Sequence, residues 1–230
     1  MGIKNVKIAD EMFVLYEKHF MELSNLIIER EYDFNIWAYA RIDTVKEKYL
    51  DTLKKAGVNW LALGIESGNT TVRKDVVKGK FTEFNITDLV RQVQDAGINV
   101  IGNYIFGLPE DNVETMQETL DLAKDLNCEF ANFYCAMAYP GSKLYLDAIA
   151  ENHTLPNTYS GWSQHSYDMI PLDTKHVDAS EIVRFRDNAF NDYHEDEKYL
   201  SMIEGKFGIE TRNKMVDMCE YKLKRKLLGD

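Results

Sequence analysis

Lys55-Ala56-Gly57-Val58-Asn59 and, further on, Asp95-Ala96-Gly97-Ile98-Asn99 share one form: a helical run stops at a glycine and passes at once into an apolar stretch. Glycine terminates helices in this way because it takes up a left-handed backbone without steric cost. Before the first glycine, over Val45 to Ala56, Val45, Tyr49, Leu50 and Leu53 share a helical face while Lys46, Lys48 and Lys54 point away. After the two glycines, Trp60 to Ile65 and Val100 to Phe106 have the β-branched and aromatic content of strands. Outward from this weak repeat the alternation continues. Ile3 to Ala9, Asn35 to Ala40 and Phe130 to Ala136 are strand-like, and Leu15 to Glu29, Ile86 to Ala96 and Glu114 to Leu126 carry helical spacing. Strands alternating with helices at this distance imply parallel pairing through right-handed crossovers. The result is a parallel barrel or an open doubly wound sheet. No Gly-x-Gly-x-x-Gly or Walker loop is present, which argues against the common nucleotide-binding versions.

The pattern changes after about Ser142. Asn152 to Thr174 mixes prolines, glycine and aromatics without periodicity and predicts a long ordered connector. Helices follow, including Glu181 to Tyr193 and Thr211 to Leu227. The expected organisation is therefore residues 1–145 as an α/β part and 146–230 as a loop and helical extension.

With 27 basic against 38 acidic residues the formal charge is -11, so nucleic acid and anionic membrane are poor partners. The one basic cluster, Lys222 to Lys226, is expected to end the tail helix and complement its dipole. Three cysteines at irregular spacing imply no disulfide framework and fit a reducing cytoplasm. Cys128 and Cys135, an odd number apart across a strand, are expected on opposite faces and so cannot share a metal. No zinc spacing and no Gly-x-Ser-x-Gly elbow occurs.

In parallel α/β folds the ligand site lies at the carboxyl ends of the strands. Here those ends are Asp10-Glu11, Arg41-Ile42-Asp43, Glu66-Ser67-Gly68, Gly107-Leu108-Pro109-Glu110-Asp111 and Tyr139-Pro140-Gly141-Ser142. Any one of them alone reads better as a helix cap or a solvated loop. Five polar ends on apolar strands together predict a polar-rimmed cavity, and the residue types alone carry the reading no further.

At these same positions the sequence resembles radical S-adenosylmethionine enzymes, in particular the cobalamin-associated branch. The resemblance runs over roughly residues 3 to 145. It is carried by Ile8-Ala-Asp-Glu-Met-Phe13, by Ala40-Arg41-Ile42-Asp43, by Gly64-Ile-Glu-Ser-Gly68 followed by Val77-Lys78-Gly79, by Gly102-Asn-Tyr-Ile-Phe-Gly-Leu-Pro-Glu110 and by Tyr139-Pro-Gly-Ser142. It implies a partial TIM-like (βα) barrel with a C-terminal helical extension. It also suggests roles: Asp10 and Glu11 toward the methionine amino group, Arg41 toward its carboxylate, and Glu66 and Ser67 near the ribose. Ile105 would contact adenine, with Gly107 and Glu110 shaping that turn. Asn103 stands where the family has glycine.

The family holds a [4Fe–4S] cluster on a Cys-x-x-x-Cys-x-x-Cys loop after its first barrel strand. One electron from the cluster cleaves S-adenosylmethionine to a 5′-deoxyadenosyl radical. No such loop occurs in these 230 residues. The expectation is thus the C-terminal portion of such an enzyme, missing its first strand, with no catalytic residue or metal ligand of its own and inactive alone. The parent reaction would be methyl transfer or a related carbon-centred modification of a small molecule, with the cluster, and cobalamin if used, held by the rest of the enzyme. The first strand, Lys4 to Ala9, becomes an edge that pairs with the missing segment, on a separate chain, or with another copy. The other expectation is a degenerate noncatalytic α/β module used for binding or assembly.

Overall fold

The computed structural model describes residues 2–76 and 85–230. Val77-Lys78-Gly79 of the resemblance therefore lies outside the described residues. Five strands form one sheet in the order β1-β2-β3-β4-β5: β1 (Asn5–Lys7), β2 (Asn35–Arg41), β3 (Val58–Glu66), β4 (Asn99–Phe106) and β5 (Phe130–Cys135). Parallel pairing is what crossover helices dictate, and the sequential strand order gives the partial (βα) barrel that the resemblance implied and that the repeat had left open against an open doubly wound sheet. The crossovers are α1 (Glu17–Glu29), α2 (Glu47–Lys55), α3 (Thr70–Val76), α4 (Ile86–Asp95) and α5 (Val113–Leu126). A C-terminal helical part follows: α6 (Lys143–Ala150), α7 (Ala179–His194), α8 (Glu197–Phe207) and α9 (Ile209–Glu220).

The chain packs as two compact units that interleave along the sequence. The first contains β1, β2, β3 to Ile65, α1, α2, α4, the opening of β4 to Asn103, and Leu126–Ala131. Its register is set by a row of asparagine amides at the strand starts. Asn35 donates to Asn5 (2.9 Å), Asn59 donates to Asn35 (3.1 Å), and Lys54 Nζ reaches Asn59 (2.6 Å) and the Gly97 carbonyl (2.6 Å). Behind the sheet Phe20 meets Tyr49 edge to face, and Glu17 accepts from the Tyr49 hydroxyl.

The second unit begins at Glu66 and holds α3, the end of β4, α5, β5 from Asn132 and all that follows. Its core is aromatic: Phe106 stacks on Phe133 with centroids 5.5 Å apart, and Phe185 of α7 meets Phe106 edge-on. The outward edge of β5 is closed by side chains. Gln164 accepts from the Cys135 N–H (3.0 Å) and donates to the Cys135 carbonyl (2.9 Å), while Arg186 Nε donates to the Phe133 carbonyl (2.7 Å). These are the groups a further strand would otherwise take.

Several expectations need correcting. α6 and α8 were not foreseen, and the run Thr211 to Leu227 is not one helix. Gly208, at φ +86°, ends α8 and opens α9, which stops at Glu220. The basic cluster after it is not helical, because Arg225 turns inward to Asp187 and is 1% exposed. Cys128 precedes β5 rather than lying within it, so the alternation argument applied to it and Cys135 does not hold; both are buried.

The two repeat glycines differ in their surroundings. Gly57 (φ +90°) passes so close to β2 that an added Cβ would lie 2.3 Å from the Phe34 carbonyl oxygen, whereas at Gly97 (φ +77°) it would meet only the flexible Lys54 side chain at 3.4 Å. Gly97→Ala should cost ~1 to 2 kcal/mol, the left-handed penalty alone. Gly57→Ala should cost clearly more, or abolish folding. Urea denaturation of both variants checks this, and equal losses would contradict it.

Candidate functional site

Each strand presents two chemically distinct faces. In β2, Ile36, Ala38 and Ala40 are buried while Trp37, Tyr39 and Arg41 are half-buried. In β4, Tyr104 and Phe106 are buried while Asn103 and Ile105 are half-buried, and β5 alternates in the same way. Parallel strands normally bury both faces. In β2 the half-buried face carries Trp37, Tyr39 and Arg41, and in β4 it carries Asn103 and Ile105.

In the first unit, Asp10 and Glu11 follow β1 on an exposed turn, and Asp10 Oδ1 accepts the Met12 N–H (2.9 Å). Arg41, at the end of β2, grips Asp43 with both arms of its guanidinium (2.5 and 2.6 Å). That pairing raises the arginine's pKa, so the fork is already engaged by a carboxylate of its own chain. Asn103 donates to the Leu63 carbonyl (3.3 Å), tying its side chain to β3.

The second unit holds the rest. Glu66 ends β3 with φ +68°, a left-handed conformation that costs a non-glycine residue energy and so marks a position the surroundings enforce. Its carboxyl makes no hydrogen bond among the described residues, and burial pushes its pKa up to about 7. The next two residues explain their own identities. Ser67 is fully buried; its hydroxyl lies 3.2 Å from that of Thr119 on α5 and accepts the Asn69 N–H. Gly68 donates its N–H to Thr119, and a Cβ there would lie 2.5 Å from the Glu118 carbonyl oxygen. Serine and glycine thus dock the turn onto α5, leaving Glu66 as the group of the trio with free hydrogen-bonding capacity.

Beyond β4, Ile105 packs on Val72, Leu108 and Ala136. Gly107 adopts φ +76° with Ile182 of α7 directly over it. Asp111, 1% exposed, closes this turn by accepting from the Leu108 N–H (3.0 Å) and the Thr115 hydroxyl (2.7 Å). Glu110 pairs with Lys175, which holds its carboxyl below the usual range. Sequence reasoning missed Arg73, a buried guanidinium on α3 that donates to the Ser67 carbonyl (2.9 Å). No motif flagged it.

Comparison with known proteins now bears on this arrangement. The sequence profile of the Radical SAM superfamily matches residues 2–123. The chain belongs to that superfamily. It is 28% identical to an uncharacterized methyltransferase of Pyrococcus horikoshii, over 84% of this chain and 41% of that protein. It is also 28% identical to the anaerobic magnesium-protoporphyrin IX monomethyl ester cyclase of Rubrivivax gelatinosus, over 60% of this chain and 25% of that protein. The chain thus spans less than half the length of these relatives. Among solved structures, the cobalamin-dependent S-adenosylmethionine radical enzyme OxsB shares the fold over 95% of this chain and 38% of its own (TM-score 0.53, 17% identity). The methyltransferase TsrM of Kitasatospora setae, bound to cobalamin and a [4Fe–4S] cluster, does so over 58% and 28% (TM-score 0.53, 22% identity).

Radical SAM chemistry asks two things of a chain, and the residues here answer them differently. Glu66 fits a nucleoside: a desolvated carboxyl with spare capacity is what a ribose hydroxyl satisfies. The three cysteines are all buried, and burial pushes the Cys135 thiol up to about 12 and the Cys219 thiol up to about 11. Among the described residues no trio of histidine, cysteine or carboxylate side chains could hold a metal ion, and no helix is long and apolar enough to cross a membrane.

The raised Glu66 pKa makes a stability prediction. The folded state holds the proton more tightly than the unfolded chain, so stability falls as pH rises from about 4.5 to about 7 and then levels off. At ~1.4 kcal/mol per unit the penalty reaches roughly 3 kcal/mol. Glu66→Gln should therefore match the parent at pH 4 and exceed it by up to this amount at pH 8 in urea denaturation. A pH-independent difference would contradict the burial of this carboxyl.

Proposed function

We propose that this chain is the C-terminal part of a radical S-adenosylmethionine enzyme that transfers a methyl group to, or otherwise modifies at carbon, a small molecule. The cluster ligands, and cobalamin where it is used, would come from polypeptide outside this sequence. The observation that carries the reading is Glu66, held in a strained conformation at the end of β3 with a desolvated carboxyl and no partner among the described residues. Methyltransferases among the relatives support methyl transfer as the outcome.

S-adenosylmethionine, when bound to a complete enzyme, supplies the methyl or radical chemistry. This chain's own contribution is to bind and orient it. Glu66, near its titration point at neutral pH, would either accept from or donate to the ribose hydroxyls. Ile105 would offer an apolar contact to the base, and the Asp111-braced turn would fix Gly107 beside it. Asp10 and Glu11 would face the amino group. Arg41 would reach a carboxylate by exchanging Asp43 for it, a swap of like partners that costs little net electrostatic energy. Ser67, being committed to Thr119, would act by positioning Glu66. The partner at the β1 edge would be the segment carrying the cysteine loop, or a second copy of the chain. A cytoplasmic setting without nucleic-acid or membrane partners is part of the same proposal, supported by the net charge of -11.

Titration of the chain with S-adenosylmethionine, alone and with the upstream strand and cysteine loop reconstituted, tests this. Binding only with the added segment, together with an iron–sulfur absorption band, is the expected result. Glu66→Ala should then weaken binding by about tenfold or more, the loss of a hydrogen bond to a charged or polarised group. Binding in neither case disposes of the reading.

A further inference from the structure

A separate cavity lies within the second unit, lined by none of the candidate site residues at the strand ends. It is a cleft of about 310 Å³ lined by α7 and the segment after α9, with Arg186, Phe190, Met218, Tyr221, Lys222 and Leu223 among its walls. Its floor is charged. Arg186 is 5% exposed, with Nε on the Phe133 carbonyl and Nη1 on Asp187 Oδ1 (2.7 Å). Its remaining nitrogen, Nη2, has no partner among the described residues, and Arg186 lines the cleft. Asp187 is largely engaged by the two arginines. Its Oδ1 accepts from Arg186 and from Arg225 Nη2 (3.0 Å), and its Oδ2 from Arg225 Nε (2.9 Å). Two arginines against one carboxylate leave a surplus positive charge, and exposed Lys222 adds another. In a chain of net charge -11 this is a local reversal of sign.

We propose that this cleft binds a small organic carboxylate with an aromatic or aliphatic body. The groups with capacity to spare include two cationic donors, Arg186 Nη2 and the Lys222 ammonium, while the one carboxylate beside them already accepts three hydrogen bonds from two guanidiniums, so the cleft favours an anion over a cation. Phe190, Met218, Tyr221 and Leu223 provide the apolar wall, and the volume suits a molecule of one ring. His165, also at the cleft, supports the sign of the field. Partial burial, and then the charges of Arg186 and Arg225, hold its imidazole below its usual range. It therefore adds no charge at neutral pH and remains able to hydrogen-bond. A buried guanidinium favours a carboxylate because the contact is charge-assisted and directional.

The probes are 3-phenylpropionate and its uncharged amide, titrated into the full chain while backbone amide signals are followed by NMR. The acid should saturate the signals of Phe190, Tyr221 and Leu223, and the amide should bind about tenfold more weakly, the scale of a lost charge-assisted hydrogen bond. Because Arg186 also holds β5, the informative variant is Lys222→Gln, an exposed change that should leave the fold intact and weaken the acid several-fold without affecting the amide. Added salt should weaken the acid alone. Equal binding of acid and amide, acid binding unmoved by Lys222→Gln, or no saturable shift at these residues would each overturn the proposal.

Discussion

A parallel sheet that does not close on itself leaves backbone donors and acceptors along its outer strands, and these must be paired or covered. At β5 the chain covers them itself. Gln164 mimics the pairing of a neighbouring strand at Cys135, and Arg186 takes the Phe133 carbonyl. Much of the helical part follows from that requirement. Arg186 is buried to reach the strand, so Asp187 is needed beside it. Asp187 in turn draws Arg225 out of what would have been a solvated basic tail, and the Arg225 guanidinium also binds the carbonyls of Gln164 and Ser166. Burial alone would raise the Asp187 pKa, but the hydrogen bonds from Arg225 and Arg186 outweigh it and hold the carboxylate ionised. Removing either arginine would leave a buried charge uncompensated, which is the costly way to break such a network.

The β1 edge is treated differently. Lys4 and Ile8 bond to β2, so the intervening Asn5 and Lys7 backbone groups point away from it. No side chain comparable to Gln164 is hydrogen-bonded to them among the described residues. The Lys7 ammonium lies over the rings of Trp37 and Tyr39, on the half-open face of the sheet. One rim is sealed by the chain's own residues and the other remains available, which is the pattern of a sheet that grows in one direction only.

The sequence was most legible where local chemistry decides structure. Glycine stops at Gly57 and Gly97, alternation in the strands and amphipathic crossovers gave the position and parallel sense of the five strands, but not their order in the sheet, which spacing left open between a barrel and a doubly wound sheet. The same glycines that looked equivalent as letters proved unlike in space, because the nearness of Phe34 is a tertiary fact. Legibility failed where long-range pairing overrides local propensity. Lys222 to Lys226 has the composition of a helix end, yet one arginine in it is worth more buried against Asp187 than solvated. Of the candidate site, the strand ends were identifiable as a polar set, and the left-handed Glu66 lay among them. What spacing could not reveal was the division of labour within Glu66-Ser67-Gly68, since it depends on Thr119, more than fifty residues away. Arg73 was invisible for the same reason: only its burial sets it apart from any other helical arginine.

We propose that a further strand pairs with β1, whereas β5 is covered by the chain's own side chains. Amide hydrogen exchange in the chain alone addresses it residue by residue. Asn5 and Lys7 should exchange close to the rate of an unstructured peptide while the Cys135 amide, held by Gln164, is strongly protected, and adding the upstream strand should slow Asn5 and Lys7 without changing Cys135. Protection of Asn5 and Lys7 equal to that of Cys135 in the isolated monomer would contradict the account.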